Sequence, residues 1–144
     1  MVSVEQLKRL VPAVVPSTRM IFKAFYPVTV QRILLVDDDP TWRYAAAKAL
    51  IGAGYEVVSA SDYMAALDLV GATPPIDILV TDIVMPKGMN GFALARMARL
   101  RQRDLKVIYM TGYDVPTHEA VGKVIRKPID PTHLIDEVRA ALAA

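Results

Sequence analysis

The stretch Arg32-Ile-Leu-Leu-Val-Asp37-Asp38-Asp39-Pro-Thr41 constrains the fold of this chain more than any other. Ile33 to Val36 is an unbroken apolar run with two β-branched residues, which reads as a strand buried on both faces. The run stops at three acidic residues. Pro40 suits the first turn of a helix, with Asp39 as its N-cap. Carboxylates are thereby held at the C-terminal edge of a buried strand, where open α/β sheets place their ligands. Like charges this close repel, and the arrangement is coherent if a cation sits among them. Hard oxygen donors suit Mg²⁺. Asp is also common in turns, and a lone Asp would be read that way. Three in a row after such a strand point to a site.

The same alternation of strand and helix continues down the chain. Residues 32–37 read as the first strand and residues 40–53 as a helix with Trp42, Ala45, Ala46, Ala49 and Leu50 near one face and Gly54 as its C′ residue. Residues 55–60 are a second strand, and residues 62–70 a helix with Ala65, Ala66, Leu69 and Val70 inward. Pro74-Pro75 breaks the chain. Residues 76–81 are a third strand running into Asp82, and Gly91 to Arg101 is a helix with Phe92, Leu94, Ala95, Ala98 and Leu100 as apolar content. Residues 105–110 are a fourth strand running into Thr111-Gly112, and residues 123–126 a short fifth running into Lys127-Pro128. Residues 131–143 close the pattern with Leu134, Ile135, Val138 and Leu142 spaced for one face. Five β-α units give a parallel sheet with right-handed crossovers and helices on both faces. Every strand then ends on one edge, which brings Asp37, Asp38, Asp82, Thr111 and Lys127 together. Three carboxylates, a hydroxyl and an ammonium form a set suited to phosphoryl transfer. The carboxylates hold Mg²⁺, one carboxylate is the nucleophile, and the ammonium, metal and hydroxyl answer the charge on the transferring group. A structural ion pair is the competing reading for Lys127 taken alone.

Composition narrows the alternatives. The 144 residues suit one domain, and 53% hydrophobic content is ample for a core. A net charge of +2 makes no case for direct nucleic-acid binding. The absence of cysteine excludes disulfides, thiolate metal sites and Cys nucleophiles. His118 and His133 lie far apart and read as surface or loop residues. No apolar run reaches the length of a membrane span. Residues 1–30 read as an N-terminal extension and residues 31–144 as the main domain. In the extension, Ser3 to Gln6 fits a capping box with Val2 and Leu7 as a staple, and Pro12 and Pro16 end that helix. A second short helix follows, capped by Ser17 or Thr18. Lys8, Arg9, Arg19 and Lys23 make the segment basic. An arm packing on its own domain or on a second copy is favoured over a membrane-surface helix or a signal peptide.

From about Arg32 to Ala144 the chain resembles a response-regulator receiver domain of two-component signalling. The resemblance is carried by Val36-Asp37-Asp38, Asp82-Ile-Val-Met85-Pro86 followed by Asn90-Gly91, Thr111-Gly112 and Lys127-Pro128. It implies an α/β, flavodoxin-like, doubly wound five-stranded parallel sheet. It also implies roles. Asp82 would be the phosphoacceptor. Asp38 and Asp82 would bind Mg²⁺ directly with the Val84 carbonyl, and Asp37 would act through a metal-bound water. Thr111 would be the switch hydroxyl, and Lys127 would pair with the phosphoryl group, its bond to Pro128 a candidate for the cis form. The implied donor is a phosphohistidine on a sensor histidine kinase or phosphotransfer protein, and the output a contact with a downstream protein. A cytoplasmic location and the absence of enzyme activity beyond slow self-dephosphorylation go with that reading.

The departures from the family pattern are informative. The loop Met85 to Gly91 is one residue longer than usual, with Gly88 placed to absorb the insertion. The segment from Gly112 to Arg126 is short and contains Pro116, so the fourth helix is expected to be shortened or irregular. Val124 stands where the family often has Tyr or Phe. The chain ends with the fifth helix of the pattern. With the segment before the last strand shortened and no ring at Val124, any homodimer is expected through a non-standard face. Two other functions fit parts of the sequence. One is a receiver-like module that binds without phosphate. The other is a haloacid-dehalogenase-like phosphatase, since Asp37, Asp39 and Thr41 satisfy D-x-D-x-T with Asp37 as nucleophile, although the later acidic pair of that family is absent.

Overall fold

A computed structural model describes residues 30–86 and 89–144. The expected helices of the N-terminal extension and the role of Gly88 lie outside the described residues. Five strands form one parallel sheet: β1 (Arg32–Val36), β2 (Glu56–Ala60), β3 (Ile78–Asp82), β4 (Lys106–Thr111) and β5 (Lys123–Arg126), in the order β2-β1-β3-β4-β5. This is the flavodoxin-like order, and it reverses direction between β1 and β3.

Side chains along a strand alternate between faces, and each face of this sheet has its own core. Leu34, Val36, Leu79, Val107 and Tyr109 point to one side. They pack on α2 (Tyr63–Leu69) through Ala66 and Leu67, and on α3 (Gly91–Arg101) through Leu94, Ala95 and Ala98. Ile33, Leu35, Ile78, Val80, Ile108 and Met110 point to the other side. They pack on α1 (Pro40–Gly52) through Ala46 and Leu50, and on α4 (Pro131–Ala143) through Leu134 and Val138. Burial on both faces explains why the central strands are continuous apolar runs.

The helix ends follow from local chemistry. The Asp39 carboxylate accepts from the amides of Thr41 and Trp42, and Pro40 fills the first helical position. Gly54 follows the C-cap Ala53 with φ +102°, a conformation that costs glycine little. Asn90 caps α3 by accepting from Ala93. Gly91 has a different constraint: a Cβ there would lie 2.2 Å from the Asp82 carbonyl oxygen. The start of α3 is thus pressed against the backbone that carries Asp82.

Two residues expected on inward faces point outward. Ala45 and Ala65 are exposed, while Ala47 on α1 is partly buried and Tyr63 and Leu67 are buried on α2. An alanine-rich run has little hydrophobic contrast, so packing on the sheet sets the phase of the helix. Leu100 is 84% exposed at the end of α3. No helix forms between Gly112 and Gly122, where a turn near His118 and Glu119 replaces it, as the short, Pro116-containing segment led one to expect. Among the described residues, no helix is long and apolar enough to cross a membrane.

Candidate functional site

The sheet carries its acids to the crevice where the strand order reverses. Asp37 directly follows β1, and Asp82 is the last residue of β3, its neighbour. Ligand oxygens of Asp37, Asp38 and Asp82 all lie within 4.8 Å of one another. Asp37 and Asp82 are buried, whereas Asp38 is exposed at the mouth.

Lys127, just after β5, reaches across the edge to both buried acids. Its Nζ lies 2.8 Å from Asp37 Oδ2 and 2.7 Å from Asp82 Oδ1. The Asp37 carboxylate is then fully engaged, because Oδ1 accepts from the Asp39 amide at 2.8 Å. The Arg43 guanidinium donates to the Asp37 carbonyl at 2.6 Å, which ties the first turn of α1 to the site. The Lys127–Pro128 bond is cis.

One ammonium thus pairs with two of the three clustered carboxylates. Burial raises the Asp82 pKa to about 7; the Lys127 hydrogen bond opposes this, and the nearby Asp37 charge adds to it. Burial works against the charge on Lys127, but its hydrogen bonds to Asp37 and Asp82 outweigh that and hold its pKa above the ordinary value. Close carboxylate oxygens with incomplete charge compensation are the donor set of a hard divalent cation, and Mg²⁺ fits it.

Thr111 ends β4 and is buried. Its hydroxyl is engaged with the backbone of Tyr113, accepting from that amide at 3.1 Å, rather than with the acids. Thr111, Val84, Tyr113 and Lys127 line one open cavity of about 660 Å³ with Asp38 and Asp82. The structure thus brings Asp37, Asp38, Asp82, Val84, Thr111 and Lys127 together at one edge of the sheet. It adds contacts that the sequence reading missed. Lys127 Nζ lies 5.2 Å from the centre of the Trp42 ring, a cation–π contact. Trp42 had signalled only an apolar helix face. Its place one turn from the acids was the available clue. His118 and His133 are exposed, as expected.

This fold and this edge define the receiver class of protein. The response regulator receiver domain family matches residues 33–139, and the chain belongs to that family. It is similar to the response regulator receiver protein CpdR of Brucella abortus, with 37% identity over 120 residues that cover 79% of this chain and 98% of CpdR. It is 32% identical over 117 residues to the response regulator MprA of Mycobacterium avium; the match covers 77% of this chain and 50% of MprA. Among solved structures, the receiver domain of the hybrid histidine kinase CckA aligns with a TM-score of 0.67 and 34% identity. That alignment covers 77% of this chain and 98% of the CckA domain. Response regulator receiver domains belong to two-component systems and are signalling domains.

Proposed function

We propose that this chain is a response regulator that accepts a phosphoryl group on Asp82 from a phosphohistidine of a sensor kinase or phosphotransfer protein. The proposal takes residues 31–144 as the receiver unit, residues 1–30 as an extension, and the cytoplasm as its location. The observation that carries it is the bridging of Asp37 and Asp82 by Lys127 at an edge where three carboxylates converge.

In the step proposed, an Asp82 carboxylate oxygen attacks phosphorus. The P–N bond to the donor imidazole breaks, its electron pair returns to nitrogen, and an O–P bond forms. Asp82 must be ionised to attack, and its pKa of about 7 leaves it partly protonated near neutral pH without a cation. Asp38 and Asp82, with Asp37 and the Val84 carbonyl, would hold Mg²⁺, which supplies charge that favours the ionised carboxylates and offsets the phosphoryl oxygens. Lys127 exchanges its contact with Asp82 for one with a phosphoryl oxygen. The Thr111 hydroxyl leaves the Tyr113 backbone and donates to another. Asp37 is a poorer nucleophile because both its oxygens are already hydrogen-bonded. Movement of Thr111 is felt first by the attached 112–122 segment, and through it a downstream protein reads the state of the site.

The test is labelling by a small phosphoryl donor, such as acetyl phosphate, with and without Mg²⁺. Wild type gains one phosphoryl group in a Mg²⁺-dependent way, and Asp82→Asn gains none. Undiminished labelling of Asp82→Asn overturns the assignment.

A further inference from the structure

Tyr63 opens α2 directly after its N-cap, Asp62. The residue is only 6% exposed, and its hydroxyl is buried without a hydrogen-bond partner. Leaving a buried hydroxyl unpaired is destabilising, and phenylalanine would fill the same space without that cost. Tyr63 and Asp38 line a common cavity of about 560 Å³, walled by the apolar side chains of Met64, Met85, Pro86 and Met89. The other acid in that cavity is already used, since Asp62 Oδ1 accepts from the Ala65 amide at 2.9 Å. Asp38 is the exposed member of the carboxylate cluster, and among the described residues its side chain has no hydrogen-bond donor. Burial, with the charges of Asp82 and Asp38, keeps the phenol in its neutral, donating form. Tyr63 thus lines the same cavity as Asp38, and its hydroxyl, buried in the wall rather than open to the cavity, is a donor without an acceptor within electrostatic reach of Asp82 and Asp38.

We propose that Tyr63 is a positioning residue for the cation site: when Asp38 turns onto a divalent cation, the Tyr63 hydroxyl donates to its carboxylate, directly or through one water, and fixes its ligating orientation. This rests on reading the three acids as a Mg²⁺ site. Ligating carboxylates are commonly held by such outer hydrogen bonds, whose loss weakens metal binding by roughly 10–100-fold. Asp37 is already held in this way by the Asp39 amide and Lys127. Tyr63 would do the same for Asp38 from the start of α2, after the neighbouring strand β2.

The experiment compares wild type, Tyr63→Phe, Asp38→Ala and the double variant. Mg²⁺ is titrated by Trp42 fluorescence, and thermal melting is followed with chelator present and no added phosphoryl donor. Tyr63→Phe should weaken Mg²⁺ binding by about 10-fold. Its melting temperature without cation should equal or exceed that of wild type, because the hydroxyl removed has no partner in that state. In the Asp38→Ala background, Tyr63→Phe should change Mg²⁺ affinity no further. Wild-type affinity in Tyr63→Phe, or a lowered melting temperature without cation, overturns the proposal and leaves the cation site standing. A wild type that binds no Mg²⁺ overturns both, so the two failures are distinguishable.

Discussion

Replacing Lys127 with methionine tests the electrostatic account of the site. Methionine keeps much of the side-chain volume and removes the charge. The Asp37 and Asp82 side chains are 0% and 5% exposed, and both depend on the same ammonium. Removing one partner of a buried ion pair typically costs 3–5 kcal/mol, because the remaining charge is stranded. Here the acids have an escape, since Asp82 can take up a proton. Its pKa in the folded protein is about 7 even with Lys127 present, and removing the ammonium raises it further. The folded state thus binds more protons than the unfolded state between the ordinary carboxylate range and pH 7, so stability falls as pH rises through that window. At pH 8 wild-type Asp82 is mostly charged and held by Lys127, whereas in Lys127→Met it must stay charged without a partner or take up a proton at unfavourable pH, so the variant should lose about 3–4 kcal/mol against wild type. At pH 5 Asp82 is neutral, only Asp37 is stranded, and the loss should shrink to about 1–2 kcal/mol. Urea unfolding followed by far-ultraviolet circular dichroism, with chelator present, measures both. Circular dichroism is preferred because Trp42, 5.2 Å from Lys127, would change its fluorescence for local reasons. A loss that is equal at the two pH values, or larger at pH 5, would refute the reasoning.

Three further outcomes follow from the same geometry. Gly91→Ala should destabilise the protein by about 2–3 kcal/mol, because its Cβ would collide with the Asp82 carbonyl; an unchanged denaturant midpoint would show that this contact is not tight. Val84 and Tyr113 line the cavity beside Asp82; Val84 offers no hydrogen bond to orient an attacking water and Tyr113 is bulky, so the phosphorylated form should be long-lived and Val84→Asn should shorten its lifetime. An unchanged lifetime would rule that explanation out. Beryllofluoride should not drive dimerisation across β5 and α4, since the 112–122 segment has no helix and Val124 has no ring. Sedimentation and amide exchange would contradict this by showing a dimer protected at residues 123–126 and α4.

Much of the fold was legible because the central strands are buried on both faces. Ile33–Val36 and Ile78–Val80 are fully buried apolar runs; the first leads straight into Asp37 and the second reaches Asp82 after Thr81. A parallel sheet places such strand ends on one edge, so Asp37, Asp82, Thr111 and Lys127 could be grouped before any coordinates. The caps Asp39 and Gly54 were readable for the same local reasons that make them work. Helix faces built from alanine were not, because Ala45 and Ala47 differ only in how the sheet meets them. Leu100 counted among the apolar content of its helix and is exposed; side-chain type alone does not reveal what lies over a helix end. The contacts of Trp42 with Lys127 and the setting of Tyr63 depend on residues distant in sequence, and no local pattern announces them.

The central claim is that Asp82, rather than Asp37, receives the phosphoryl group. Reduction of the acyl phosphate with borohydride, followed by peptide mass spectrometry, marks the acid that carried it. The account predicts the mark on Asp82, in the peptide that spans the end of β3. A mark on Asp37, or none on either acid with Mg²⁺ and donor in excess, would contradict it.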